Sequence, residues 1–314
     1  MQVNDVRFGV VVATYSRPLE LAKALTFIST QAVKPVAVVV VDSSPSEDAL
    51  KTKEACSNSP ENLSVTYLKS NTASSTVQRN EGIEELLKHN LDFIQVLDDD
   101  TMPSVDYCQR LIEVLLKYPS AVGASGVTVP TPPKPTFTQS VGRFIFVLFG
   151  LESYRGGSVS PAGCGIPVWR RSTSIQQVEW LFGCSMWRVN IFEKLRFNNR
   201  LVGAALAEDL HFSILASREG KLFVDPKAHL GHSYSPIERP DQAKFAYRFA
   251  RNRWYVVRDM RFPIIAIPMY VISNAFLGFI SLLAAIRKPS SMGFKASSNY
   301  IKGMVDAWRD VPPI

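Results

Sequence analysis

Several absences narrow the reading before any motif is considered. The four cysteines, Cys56, Cys108, Cys164 and Cys184, form no CxxC pair and no metal-ligand spacing. Four scattered cysteines in 314 residues exclude a disulfide-framed secreted scaffold and read as reduced, partly buried thiols. There is no Walker A, GxGxxG, GxSxG or HExxH motif, which sets aside the P-loop, dinucleotide, α/β-hydrolase and zinc-protease signatures. No internal repeat or low-complexity tract occurs. The N-terminus lacks a signal-peptide pattern, because Phe8 to Ala13 is short and follows Asp5 and Arg7. A cytoplasmic chain is therefore expected.

Charged residues are also modest in number, at 20%, against 46% apolar. That balance belongs to a globular chain with a substantial core rather than to a disordered one. The charge is nevertheless lopsided: a net +7 suggests an anionic partner, whether nucleic acid, a phosphorylated ligand or anionic lipid. Pro263 to Ile286 carries no charged side chain and is flanked by Arg258 and Arg261 before it and Arg287 and Lys288 after it. The run is long enough to span a bilayer, but Pro268, Ser273, Asn274 and Ser281 dilute it, and cations on both flanks define no inside. A helix or hairpin lying in the membrane interface is expected, with a buried core helix as the alternative.

The first half alternates strand and helix periods. Phe8 to Ala13, Val36 to Val41, Ser64 to Leu68 and Phe93 to Leu97 read as strands. Helical faces follow Pro18, run through Val77 to Leu87, and follow Ser104 as a cap. Ala121 to Val129 completes the pattern. Such alternation implies an α/β fold with a mainly parallel, doubly wound sheet. Pro130 to Pro135 breaks it, and loops are expected from there to about Val178 around an apolar piece, Phe144 to Leu151. A helix from Glu208 to Gly220 and a strand from Leu222 to Val224 follow.

In open α/β sheets ligands bind beyond the carboxyl ends of the strands. Here those ends carry Thr14, Tyr15, Ser16 and Arg17; Asp42, Ser43 and Ser44; Asn71; and Asp98, Asp99 and Asp100. Three consecutive carboxylates repel one another by about 1–4 kcal/mol per pair. A divalent cation would relieve that repulsion, whereas a plain acidic loop is the alternative. Glu208 and Asp209 open a helix, where they suit either its dipole or a general base. His229 and His232 follow a strand and are either loop residues or metal ligands. Arg79 and Asn80 open a helix toward the crevice, where they either meet phosphate or sugar or simply lie on the helix surface. Arg248, Arg251 and Arg253 form a basic, aromatic-rich stretch suited to a diphosphate, to lipid phosphates or simply to solvent.

Seven segments occur in a familiar order: VVVATYSRP, VVVVDSSPSED, VQRNEG, VLDDDTMP, EWLFGCSMWR, AEDLHF and ARNRW. From Phe8 to Trp254 the chain resembles family 2 glycosyltransferases of the GT-A fold, and its apolar tail resembles bacterial membrane-associated members. The resemblance implies that Asp42 reads the nucleotide base beside Thr14 and Arg17. It further implies that Asp98 contacts the ribose or sugar, with Asp99 beside it on the donor, and that Asp100 binds Mg²⁺ or Mn²⁺, with His232 completing the shell. Asp209 would be the catalytic base, with Glu208, Trp180 and Gly183 on the acceptor side. Processive members carry QxxRW, but Ala250 replaces that glutamine before Arg253 and Trp254, which favours transfer of a single sugar; one base and one displacement would invert the anomeric carbon.

The implied partners are a nucleotide-diphosphate sugar donor, a saccharide or polyprenyl/lipid-linked acceptor and an anionic membrane surface, with no nucleic acid. The implied product is a cell-surface polysaccharide or glycan, made at the cytoplasmic side of the plasma membrane. The expected division is a GT-A domain over 1–255, with a donor half to about 130, and a helical membrane-associating segment over 256–314. Two rivals remain: a non-catalytic nucleotide-sugar-binding membrane module, and a sugar nucleotidyltransferase, whose Gly-rich loop is replaced here by ATYSRP.

Overall fold

The computed structural model describes residues 2–130, 136–168, 172–201, 206–232 and 241–311. The expected proline break, Pro130 to Pro135, lies outside them apart from Pro130. The first half runs β1 (Phe8–Thr14), α1 (Pro18–Ser29), β2 (Ala37–Asp42), α2 (Ser46–Ser57), β3 (Val65–Lys69), α3 (Ser75–Leu86), β4 (Phe93–Asp98), β5 (Thr101–Pro103), α4 (Tyr107–Lys117) and β6 (Ala121–Val129). Then follow α5 (Phe137–Leu148), β7 (Gln176–Val178), β8 (Ser185–Arg188), α6 (Val189–Lys194), α7 (Glu208–Ala216) and β9 (Lys221–His232). The chain closes with α8 (Gln242–Asp259), α9 (Pro263–Arg287) and α10 (Ser291–Trp308).

The strands form one sheet in the order β3-β2-β1-β4-β8-β6-β9-β5, with β7 on β9. It is parallel from β3 to β4 and mixed beyond, where β8 runs antiparallel between β4 and β6. The central strands are buried on both faces, and their side chains alternate between two cores. Val10, Val12, Val38 and Val40 meet Leu21, Leu25 and Ile28 of α1. Val11, Val39 and Val41 meet Ile83 and Leu86 of α3 on the other face. Gly82 permits that second contact, because a Cβ there would fall 2.3 Å from the Val11 side chain.

Chain order reverses at β1, which has β2 on one side and β4 on the other. Helices on opposite faces leave a crevice at such a point. The register sets Thr14 beside Asp42 and Ala13 beside Asp98, so three polar strand ends share one edge.

Four local expectations are corrected. Helix α4 starts at Tyr107 with Asp106 at its N-cap, not Ser104. The Ser104 N–H is already taken by the His229 carbonyl at 3.0 Å, and its hydroxyl donates to Asp106. Residues 137–148 are a helix rather than loop, opened by a Thr136–Gln139 capping box. Helix α7 ends at Ala216, four residues before Gly220. Strand β9 runs on to His232, so His229 and His232 lie in a strand.

The tail is a helical layer. Helix α9 is the one described helix long and apolar enough to cross a membrane. It packs with α8 and α10 through Ala246, Ala250, Leu277, Ala296 and Tyr300. Arg253 ties this layer together: it donates to the Ala162 carbonyl at 3.1 Å, to Ser273 at 3.2 Å and to Asn274 at 2.6 Å. Two of the polar residues that interrupt the apolar run, Ser273 and Asn274, are thus partners of a buried guanidinium.

Candidate active site

The DDD turn divides its three carboxylates among different tasks. Asp99 turns inward, where it accepts the Thr14 hydroxyl at 2.7 Å and Arg17 at 3.1 Å. This bracket ties the end of β1 to the end of β4. Burial, with Asp100 adding to it, raises the Asp99 pKa to about 7 against the opposing pull of Thr14 and Arg17. Arg17 also reaches Asp100 at 3.4 Å.

Asp98 and Asp100 face a third group. Antiparallel pairing of β5 with β9 sets His232 opposite Thr101, directly after the turn. His232 Nε2 lies 3.4 Å from Asp100 Oδ1, and ligand atoms of Asp98, Asp100 and His232 all fall within 4.8 Å of one another. Two carboxylate oxygens and one imidazole nitrogen at that spacing fit a divalent cation, which also needs further oxygens from solvent or substrate. His229, in the same strand and paired with Val127, is not among these clustered ligand atoms.

Arg79 connects this cluster to the second acidic motif. From the second turn of α3 its guanidinium meets Asp98 and Glu208, each at 2.7 Å, and it lies over the Phe197 ring. Burial opposes its charge, but the two carboxylates outweigh burial and hold its pKa above the ordinary value. Asp98 is correspondingly held low by Arg79 despite the opposing effect of burial. Gly183 makes room for the pair: a Cβ there would sit 3.3 Å from Arg79 and 3.5 Å from Asp98. Glu208 and Asp209 open α7 after Ala207, a non-glycine residue at φ +69°. Strain of this kind concentrates where a side chain must be aimed. Asp209 accepts the Leu210 N–H at 2.7 Å, and burial plus neighbouring Glu208 raise its pKa to about 7. Burial raises Glu208 as well.

Other expected residues are placed differently. Asp42 reaches the strand end but is fully buried: Ser44 donates to one oxygen and Tyr67 to the other at 2.9 Å. Both of its carboxylate oxygens are thus engaged within the chain. Asn80 is turned away from the crevice; it clips the Phe197 backbone at both N–H and carbonyl and bonds Asn199. Arg251 and Arg253 face neither phosphate nor lipid. Both are buried, Arg251 on the Arg200 and Val311 carbonyls and Arg253 as described above. Trp180 donates to the Ile166 carbonyl at 3.1 Å and covers Gly165.

Two contributors escape the sequence reading. Gln78 is buried and donates to the Thr14 and Val41 carbonyls, each at 2.7 Å, which locks the ends of β1 and β2 to α3. Cys184 stands 3.7 Å from Asp98, its thiol pushed up by burial. A polar glutamine on the inward face of α3 is the only signal that marks the first. The second lies inside the EWLFGCSMWR segment, but nothing there singles out its thiol.

Residues 9–164 match the sequence family described as Glycosyl transferase family 2. That span holds the strand ends, Arg79 and the DDD turn. This span is a family 2 glycosyltransferase domain, and the chain is a glycosyltransferase. Solved structures agree at the level of fold. Staphylococcus aureus TarS residues 1–349 in complex with UDP-GlcNAc superposes with a TM-score of 0.57 at 14% identity, covering 98% of this chain and 82% of that one. The mannosyltransferase PcManGT of Pyrobaculum calidifontis, in complex with GDP-Man and Mn²⁺, gives 0.57 at 17% identity over 97% and 88%. TarS 1–349 alone gives 0.55 at 15% identity over 97% and 83%. A search of curated proteins finds no match.

Proposed function

We propose that this glycosyltransferase moves a single sugar from a nucleoside-diphosphate donor to an acceptor hydroxyl with inversion, using Asp209 as base and a divalent cation beside the DDD turn. The observation that carries this reading is the line Asp100–His232–Asp98–Arg79–Glu208–Asp209, which joins a cation-binding group to a base of raised pKa. Nucleotide sugars bound to the TarS and PcManGT structures support the donor class, and Mn²⁺ in PcManGT supports the cation.

Asp98, Asp100 and His232 would hold Mg²⁺ or Mn²⁺, which when bound offsets the charge growing on the leaving diphosphate. The rest falls to the chain's own residues. Arg79 fixes Asp98 on one side and Glu208 on the other, so the first acidic motif and the start of α7 keep one spacing. Asp209 takes the acceptor proton as the hydroxyl attacks the anomeric carbon; a base with a pKa near 7 is matched to proton transfer at neutral pH. One base and one displacement invert the anomeric centre. Ala250 in place of the QxxRW glutamine supports a single transfer.

The test is nucleoside-diphosphate release from UDP-, GDP- and dTDP-sugars with Mn²⁺ and an acceptor panel. One donor should turn over in the parent, while Asp209→Asn and Asp100→Ala lose release yet stay folded, with a cooperative thermal transition no lower than the parent's. Full turnover by either variant overturns its assigned role.

A further inference from the structure

Helix α5 poses a problem that the catalytic reading does not address. Its 12 residues include no buried one, yet Phe137, Val141, Phe144, Ile145, Phe146 and Leu148 are all exposed, Phe137 by 84%. A helix this short is not held in water by backbone bonds alone, and large exposed apolar patches mark docking surfaces. Its C-terminal end leans on α9: Phe149 stacks on Phe276 at 3.8 Å, and Phe146 meets the same ring edge-on at 5.9 Å.

Helix α9 has the matching feature. One stripe, Ala266, Tyr270, Ser273, Asn274 and Leu277, is sealed against the chain. The other, Ile265, Pro268, Ile272, Ala275, Phe279, Leu282 and Ile286, repeats every three or four residues, is wholly apolar and stays exposed. A helix with Arg253 bonded to its inner face is committed to protein on that side and cannot be surrounded by lipid. Helix α5, at 12 residues, is too short to cross a bilayer. Both therefore suit a membrane surface, with the helices in its plane.

We propose that α5 and α9 together form a monotopic docking face for an anionic phospholipid bilayer, with the cations of the segment from α9 through α10 meeting its head groups. Charge selects this occupant. From Met260 to Val305 there is no acidic residue, while Arg261, Arg287, Lys288, Lys295 and Lys302 are all exposed. An apolar face on a segment that carries exposed cations and no acidic residue meets lipid phosphates favourably. A second copy of this chain would set the same cations against one another across a two-fold interface. The proposal does not rest on the sugar-transfer reading.

The test is flotation of the full chain with vesicles of phosphatidylcholine alone and of phosphatidylcholine with phosphatidylglycerol, together with light scattering. The chain should float with both and more strongly with the anionic set. Phe137→Ser/Phe144→Ser and Ile265→Ser/Phe279→Ser should each cut binding to both sets at unchanged thermal transition. Lys295→Gln/Lys302→Gln should remove only anionic preference, by roughly fivefold per charge. A parent that stays soluble with both vesicles overturns the proposal. So does a parent dimer that the serine variants turn into monomers, or bound protein that withstands an alkaline carbonate wash, which would indicate a spanning helix.

Discussion

Replacing Arg79 by methionine keeps most of the side-chain volume and deletes one charge. It leaves Asp98 and Glu208, each now 2.7 Å from a guanidinium nitrogen, facing each other with no cation between them. Removing one partner from a buried ionic group costs about 3–5 kcal/mol, because the surviving charge has neither water nor a counter-ion. Glu208 meets that condition with a side chain 11% exposed, but Asp98 is 34% exposed and partly hydrated, so the lower end, about 3 kcal/mol, is appropriate. Over 314 residues an unfolding entropy of about 2.1 cal/mol/K per residue turns this into a fall of about 5 °C in the thermal transition. The sign with pH follows. Without Arg79 both carboxylates titrate higher, so the folded variant takes up protons that the unfolded chain releases, and its deficit should shrink as pH falls from about 8 to about 5. Differential scanning calorimetry at both pH values reads this. Arg79→Met/Glu208→Gln should recover more than half of the loss at the higher pH. A variant within about 1 °C of the parent, or a deficit that ignores pH, would refute the assignment of Arg79 as the link between the two acidic motifs.

Other outcomes follow from neighbouring residues. Because the folded-state pKa of Asp209 lies at about 7, donor turnover should rise with pH through that region, and a flat profile in kcat/KM would remove Asp209 as base. The same raised pKa makes any stability from Asp209 present at low pH and lost as pH climbs through about 7, so Asp209→Asn should melt higher than the parent at alkaline pH and alike in acid. Tyr67→Phe leaves one Asp42 oxygen unpaired in a buried site and should cost about 1–3 kcal/mol in urea unfolding. Arg253→Met strands Asn274 and the Ala162 carbonyl and should cost about 2–4 kcal/mol, and an unchanged midpoint would contradict its role as the tie of the helical layer.

The parts legible in the sequence are those governed by short-range pattern. Strands buried on both faces announce themselves as β-branched runs, and each ends where its polar residues begin, so the crevice edge at Thr14, Asp42 and Asp98 can be located directly. What the pattern does not carry is pairing between distant segments. His232 enters the site because β9 extends past Pro226 and pairs antiparallel with β5. The residues of β9 give no sign of that length, since Pro226 reads as a stop.

Charge misleads for a related reason. Arginines at Arg251 and Arg253 look solvent-facing by default, but each has backbone carbonyls or amides waiting for it in the fold, and satisfied guanidinium groups can be buried. Asp42 is the same case with the opposite sign. Helix α5 is missed because the prolines before it outweigh a Thr-x-x-Gln box, which is a two-residue signal.

The most direct test of the cation-binding group is an electron paramagnetic resonance titration of Mn²⁺ into the chain in the presence of UDP or GDP. The parent should take up one ion, and Asp100→Asn and His232→Gln should each weaken that uptake by about tenfold or more with the fold intact. Unchanged Mn²⁺ uptake in both variants would show that Asp98, Asp100 and His232 are neighbours without a shared ion, and the catalytic account would fall with them.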